Sequence, residues 1–255
     1  MELKRRSIAK STTWRALASS ITFLLAYGSM RLELSSALIT AGIVGIFDIP
    51  VKLLAYVVHE RSWLHILWGR TPGKVVWLYG LPASGKTELA KTVQRLHKGN
   101  NLVRLDGDVL RKQNGLCSDL KFSPEDRHEN LRRTAAAAKL LADAGNLVLA
   151  ANITPREENR GMVKELLEDQ VMFVFVDASP ILCENRDHPE TGTRKSGMWQ
   201  AAKRGEIKEY TGVSDVFELP SGVLPDLHID MSKWDGQKQA CARMVIDLLA
   251  KRGAV

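Results

Sequence analysis

The residues best suited to chemistry stand in one run, Gly80-Leu81-Pro82-Ala83-Ser84-Gly85-Lys86-Thr87. The string fits G-x-x-x-x-G-K-[ST], in which glycines let backbone N–H groups turn inward around anionic oxygens. A lysine then reaches the β- and γ-phosphates of a nucleotide, and a hydroxyl ligates Mg2+. Lys86 and Thr87 take those two parts. The run follows an apolar stretch at 74–79 and opens a helical pattern at 86–97, so the positive end of a helix dipole lies beneath the same anion. A glycine-rich turn that binds nothing would not need strand, loop and helix in this order.

Around this loop, short apolar runs at 74–79, 102–105, 147–153, 171–176 and 227–230 alternate with helical patterns at 86–97, 125–144, 156–168 and 237–251. The alternation predicts an α/β unit with a parallel sheet flanked by helices, which gathers ligands at the carboxyl ends of its strands. Asp106 and Asp108 after the second run, and Thr154 after the third, fall on that edge. The third run, LVLAANIT, ends without the carboxylate that many phosphate-loop NTPases use for Mg2+, which counts against a motor or a GTPase. Asp108 is expected to orient an acceptor hydroxyl or take its proton, as a small-molecule kinase requires. For either aspartate the alternative is a helix cap near Val109. Arg127 and Asn130, three apart on a helical pattern, share one face, with Phe122 just ahead as a stacking surface for a purine. The arginine offers a planar fork for phosphate or sulfate, and the asparagine a mixed donor and acceptor. Arg132 reads as part of a solvated basic face.

The net charge of +7 is uneven: ten Lys/Arg against four Asp/Glu fall in residues 1–74, which leaves the remainder nearly neutral. A basic groove for nucleic acid across the whole protein is therefore not expected. Cys117, Cys183 and Cys241 are few, widely spaced and odd in number, which suits a reducing compartment and suggests neither a disulfide framework nor a zinc site. The six histidines have no ligand spacing.

The basic excess flanks two apolar segments. Residues 16–30 carry no charge, and residues 34–58 carry only Asp48 and Lys52, four apart and able to pair on one helix face. We read residues ~11–58 as a two-helix transmembrane hairpin, with Arg15 snorkelling to the headgroups. The short connector 31–33 contrasts with the basic start Lys4, Arg5, Arg6, Lys10 and the basic exit Arg61, Arg70, Lys74. This puts both ends in the cytoplasm, in an inner or plasma membrane, with Trp14, Trp63 and Trp68 at the headgroup belt. The competing readings are a secretory signal peptide and a buried helical pair of a water-soluble protein.

The motifs VVWLYGLPASGKTELA, LDGDVLR, FSPEDRHENLRR, AKLLADAGNLVLAANITP, VFVDASPILCENRD and GEIKEYTGV, in order over residues 73–231, together resemble the adenylylsulfate kinase family. That resemblance implies a P-loop kinase fold over 73–255. It also implies ATP with Mg2+, the metal on Thr87, and transfer to the 3′-hydroxyl of adenosine 5′-phosphosulfate (APS). It assigns catalysis to Lys86, Asp108 and Thr154, and acceptor binding to Asp106, Arg111, Phe122, Arg127, Asn130 and Tyr210. The stretch at 4–70, with its Thr13-Trp14-Arg15 and His59-Glu60-Arg61-Ser62-Trp63 elements, is similar to a small two-helix membrane family of unknown function and sets a boundary near 72.

Two departures stand out. Ile153-Thr154-Pro155 replaces Ile-Ser-Pro, and the family's compact lid is replaced by the longer 186–205 stretch, which reads as polar and loop-like. Arg186, Arg194, Lys195 and Lys203 are its cations, and Trp199 is placed to cover a base. A homodimer and ATP sulfurylase are the protein partners that this reading leaves open. The rival functions are a related kinase with another nucleotide-linked or sugar-linked acceptor, and a membrane tether that binds nucleotide without turnover.

Overall fold

The computed structural model of the chain describes residues 4–31, 37–66, 72–97, 99, 101–112, 114–194 and 196–253. It divides into two compact units, Met1–Thr71 and Pro72–Val255.

The first unit is built on two long helices, α1 (Lys4–Arg31) and α2 (Ala37–His65). Lys10 pairs with Glu60 at 3.3 Å, the Thr13 hydroxyl lies 2.9 Å from His59 Nε2, and Thr22 donates to Asp48 at 3.1 Å. Numbers that rise along one helix and fall along the other make the pair antiparallel. Arg6 is buried and donates to the carbonyls of Trp63 and Ile66 at 2.6 and 2.5 Å, with its guanidinium over the Trp63 ring. A cation therefore sits on carbonyls at the negative end of α2. The expected Asp48–Lys52 pair forms at 2.7 Å. Phe23, Ile46, Ile49 and Leu54 are exposed. Among the described residues no helix is long and apolar enough to cross a membrane. Two paired helices thus stand where a transmembrane hairpin was expected, without a span among the described residues, and α1 mixes Lys, Arg, Ser and Thr with its apolar residues. The connector beyond Arg31, and Trp68, lie outside the described residues.

The second unit alternates strands and helices: β1 (Val75–Tyr79), α3 (Lys86–Leu96), β2 (Leu102–Asp106), α4 (Gly107–Leu110), α5 (Pro124–Asp143), β3 (Leu147–Ala151) and α6 (Glu157–Leu167). It continues with β4 (Val171–Asp177), α7 (Pro180–Asp187), α8 (Met198–Lys203), β5 (Leu227–Asp230), α9 (Met231–Trp234) and α10 (Lys238–Lys251). All strand pairs are parallel, in the order β2-β3-β1-β4-β5. Being covered on both faces, β1 reads as an unbroken apolar run and is buried throughout. Alternation along the strands divides the core. Val76, Leu78 and Leu149 pack with Leu89 and Val93 of α3 and Val245 and Leu249 of α10. Val75, Trp77 and Ala150 pack with Leu131 and Ala135 of α5 and Val163 of α6. The start of α5 is written in its sequence: Ser123 caps the Asp126 N–H at 3.2 Å, Pro124 fills the first turn, and Glu125 and Asp126 add negative charge there.

The reading of 186–205 as a polar loop is corrected. α8 crosses it, and Trp199 and Ala202 are buried with Leu81, Cys183 and Tyr210 in a third small core. The cause is Asp187, fully buried at the end of α7, which accepts hydrogen bonds from the Trp199 N–H at 3.0 Å and from the Ser196 hydroxyl. A buried carboxylate that gathers the donors of the following segment turns a polar stretch into a packed one.

Candidate active site

The phosphate loop joins β1 to α3 at the carboxyl edge of the sheet. Gly80, Ala83 and Gly85 have φ of +150°, +63° and +107°. A Cβ on Gly80 would stand 2.3 Å from the Val176 carbonyl, so only glycine fits there. Ala83 holds the same left-handed region without that freedom, a strain of about 1–3 kcal/mol that the surrounding loop must offset. Leu81, Pro82 and Ser84 are buried. Lys86 turns back over the loop: Nζ donates to the Leu81 carbonyl at 2.6 Å, the Gly80 carbonyl at 3.0 Å and Ser84 Oγ at 3.3 Å. Burial disfavours its charged form and pulls its pKa down to about 8. Arg186, near the end of α7, donates to the Ser84 carbonyl at 2.7 Å and to Asp235 at 2.5 Å, which fixes a second cation against the loop.

The acidic pair divides its work. Asp106 is buried, accepts from the Thr87 hydroxyl at 2.8 Å, and caps α4 through the Asp108 N–H at 3.1 Å. The helix-cap alternative thus holds for Asp106, whose contact is with the loop threonine. Asp108 has a side chain 77% exposed, with Arg194 at 3.8 Å.

Just after Asp108 in the chain, and in electrostatic reach of it through Arg111, comes a linked group of aromatic and cationic residues. The Arg111 guanidinium lies over the Phe122 ring at 4.9 Å and donates to the Leu120 and Lys121 carbonyls. Arg127 donates from Nε to the Phe122 carbonyl at 2.9 Å, and its Nη1 reaches Thr211 at 2.7 Å and Asp215 at 3.2 Å. It also donates to the Glu209 carbonyl, so a single guanidinium ties α5 to the segment carrying Tyr210. Burial pulls the pKa of both arginines down from the usual value. The Phe122 ring is 60% exposed, a face open for stacking. Asn130 is buried on α5, and its Nδ2 has no hydrogen-bond partner among the described residues.

Three expectations change here. Thr154 is fully buried at φ +45°, and its hydroxyl accepts from the Trp77 indole at 2.9 Å. It is therefore turned into the core on the α5 side and not toward the reacting edge. Trp199 and Tyr210 are both buried and meet edge to face, with centroids 5.6 Å apart. Neither ring offers an open face to a base; burial also pushes the Tyr210 hydroxyl well above the usual tyrosine range. Lys195 lies outside the described residues. Two aspartates were missed in the sequence: Asp187, the organiser of the lid segment, and Asp215, which holds Arg127 and, at 3.3 Å, Arg156. Little that is local marks either one: the partners range from Thr211, four residues from Asp215, to Arg127, 88 residues from it.

Comparison with known proteins agrees with this geometry. The family model described as "Adenylylsulphate kinase" matches residues 72–230, and that described as "Predicted membrane protein (DUF2061)" matches residues 8–64. An adenylyl-sulfate kinase of Enterobacter sp. (strain 638) is 41% identical over 161 residues, 62% of this chain and 75% of that protein. One of Shewanella pealeana is 43% identical over 180 residues, 69% and 81% of the two chains. Among solved structures, the Mycobacterium tuberculosis APS kinase in complex with AMPPNP and APS aligns with a TM-score of 0.62 at 40% identity, covering 70% of this chain and 98% of that one. The match thus spans the segment from before the phosphate loop to the end of β5 and covers most of a whole kinase, and the chain belongs to the adenylylsulfate kinase family.

Proposed function

We propose that the second unit transfers the γ-phosphoryl group of ATP to the 3′-hydroxyl of adenosine 5′-phosphosulfate, and that the first unit attaches the enzyme to a membrane. The observation that carries the first part is that Asp108 lies within electrostatic reach both of Lys86 in the phosphate loop, beside the Thr87–Asp106 pair, and of Arg111, which stacks on Phe122. Phosphoryl transfer has little covalent chemistry for a protein to perform, so positioning and charge must do most of it.

In this reading the inward-turned N–H groups of Gly80 to Thr87 hold the nucleotide phosphates. Lys86 exchanges its carbonyl partners for phosphate oxygens, which favours its protonated form. Arg186 and Arg194 add positive charge where it accumulates on the transferring group. Asp108, exposed and free of a cap's duties, orients the acceptor hydroxyl and receives its proton. Phe122, backed on one face by Arg111, stacks its open face on the purine, and Arg127 and Asn130 hold the anionic end of the acceptor. Tyr210 shapes that side from within the core.

The oxygens present suit Mg2+: a threonine hydroxyl and a carboxylate 2.8 Å apart, both hard donors. Among the described residues no cluster of three or more His, Cys, Asp or Glu could hold a metal alone, which fits an ion shared with nucleotide phosphates. When bound, it would neutralise charge on the β- and γ-phosphates.

Membrane attachment is supported by the match of residues 8–64 to a family described as a predicted membrane protein and by the exposed apolar side chains of both helices. The basic ends of the pair favour the cytoplasmic side for the kinase unit. The deciding experiment incubates the full-length protein with labelled Mg-ATP and APS. A 3′-phosphorylated product is expected; turnover of a different acceptor with none of this one would end the reading. Fractionation of cells expressing the full chain tests attachment, and recovery in the supernatant without detergent would overturn it.

A further inference from the structure

We propose that Asn152 is a further acceptor-positioning residue, its side-chain amide N–H donating to an oxygen of the acceptor nucleotide held beside Asp108. The proposal rests on the acceptor reading above. Asn152 directly follows β3, and its backbone is pinned on both sides. Its N–H donates to the Leu78 carbonyl at 3.0 Å, and the next carbonyl, Ile153, accepts from Gly80 at 3.2 Å. It is thus tied to the first residue of the phosphate loop. In the β2–β3 register Asp106 stands opposite Ala151, so Asn152 comes level with Gly107 in the acidic turn. A Cβ on Gly107 would stand 2.5 Å from Asn152 Oδ1. The glycine between the two aspartates is what lets this amide lie against the turn.

Asn152 is 5% exposed, and its Nδ2 is buried with no hydrogen-bond partner among the described residues. Buried side-chain donors nearly always have a partner, and an apolar residue of this size would fill the place without stripping a donor of water. A donor kept in such a place is best explained by a partner that arrives with the ligand.

The two faces of the sheet decide which ligand. Strand alternation sets Asn152 on the side of Val148 and Ala150, which pack with α5. The carboxylate of Asp106 is committed to Thr87 of α3, on the nucleotide flank. A second buried amide of the site, that of Asn130 beside the Cys117 sulfur, comes from α5 itself. Two amide donors from β3 and α5 therefore bracket the acceptor flank, and the shared ligand chemistry is an oxygen that accepts hydrogen bonds.

The test is steady-state kinetics and thermal unfolding of the full-length protein carrying Asn152→Leu or Asn152→Asp, against the parent. Asn152→Leu is expected to raise the APS KM about tenfold, the loss of one good hydrogen bond, with the ATP KM and kcat within twofold. Asn152→Asp keeps the shape but sets a negative charge before an anion, and should raise the same KM further. Because Nδ2 has no partner to lose, Asn152→Leu should not lower the Tm of the ligand-free protein, whereas Asn152→Asp, which buries a carboxylate beside the acidic turn, should lower it. An unchanged acceptor KM in both variants, a rise in the ATP KM instead, or a fall in the Tm of Asn152→Leu with both KM values and kcat moving together would each overturn the proposal. A parent that turns over no APS would overturn both this and the function reading, whereas an active parent with indifferent variants overturns this proposal alone.

Discussion

The two units use apolar residues in opposite ways. In the second, Trp77, Leu78 and Leu149 are fully buried, and the surface they remove from water, about 25 cal/mol for each Å2, holds the sheet that carries the site. In the first, Ile46 and Ile49 are 72% and 74% exposed along a helix that meets one other helix. The contacts between those two helices include polar ones, Lys10–Glu60, Thr13–His59 and Thr22–Asp48, beside the edge-to-face packing of Trp14 on Tyr56. One unit makes its own apolar interior; the other leaves apolar side chains exposed along its helices, a surface of the kind that marks interaction with another apolar partner. The lesson is a division of labour: chemistry should depend on the second unit and placement on the first.

The comparison is most exposed to failure at Lys86. Lys86→Ala removes the cation aimed at the β- and γ-phosphates and should cost about 10² to 10³ in turnover; activity within threefold of the parent would remove the residue from the mechanism. Asp108→Asn comes next. It should lower kcat by about 10² or more with little change in the ATP dissociation constant, since its task arises at the acceptor in the transition state. A weaker ATP complex with unchanged kcat would move Asp108 to the nucleotide flank.

Arg127→Ala should raise the APS KM roughly 10- to 100-fold through loss of charge-assisted hydrogen bonds, with the ATP KM held. Because the residue also joins α5 to Thr211, Asp215 and the Glu209 carbonyl, the variant's Tm should fall as well. Equal effects on both substrates would assign it to the frame alone.

A smaller effect follows from Lys86 titrating at about 8. Phosphate binds the protonated form, so ATP affinity should hold below pH 8 and fall up to about tenfold per pH unit above it, with proton uptake on binding. Stability runs the other way. The folded state disfavours the charge relative to the unfolded chain, so this residue's contribution to stability improves as pH rises from about 8 toward its ordinary value near 10.5. Isothermal titration in buffers of different ionisation enthalpy would detect the uptake, and an ATP affinity flat to pH 9.5 would contradict it. The smallest effect is expected from deleting residues 1–71, since every buried residue of the three cores around the site lies after them. The truncated protein should keep kcat within about twofold and no longer fractionate with membranes; lost catalysis in a folded truncation would erase the division between the units.

Much of the second unit was legible because its signals are local. Five apolar runs of strand length and the helical patterns between them fall within a few residues of the observed elements, and the Ser-Pro-Glu-Asp start of α5 is a cap that any helix would use. What misled was the segment at 186–205, where composition pointed to loop. Its folding depends on one buried carboxylate and a tryptophan whose partners come from the phosphate loop and from Tyr210. Thr154 misled for a related reason. Its place at a strand end is visible in the chain, but the direction of its hydroxyl depends on Trp77, 77 residues earlier.

The sequence alone determined the phosphate loop, the acidic turn, the five strands with the four longer helices that alternate with them, and the split between a basic apolar region and a nearly neutral α/β region, because each rests on local spacing or on composition. Only the tertiary structure decided which aspartate caps and which stays open, that Arg127 is bound to Asp215 88 residues away, and that Asn152 carries a buried donor beside Gly107. Those facts depend on which strand lies beside which and on what burial removes from water. Both are properties of the folded chain that no stretch of it contains by itself.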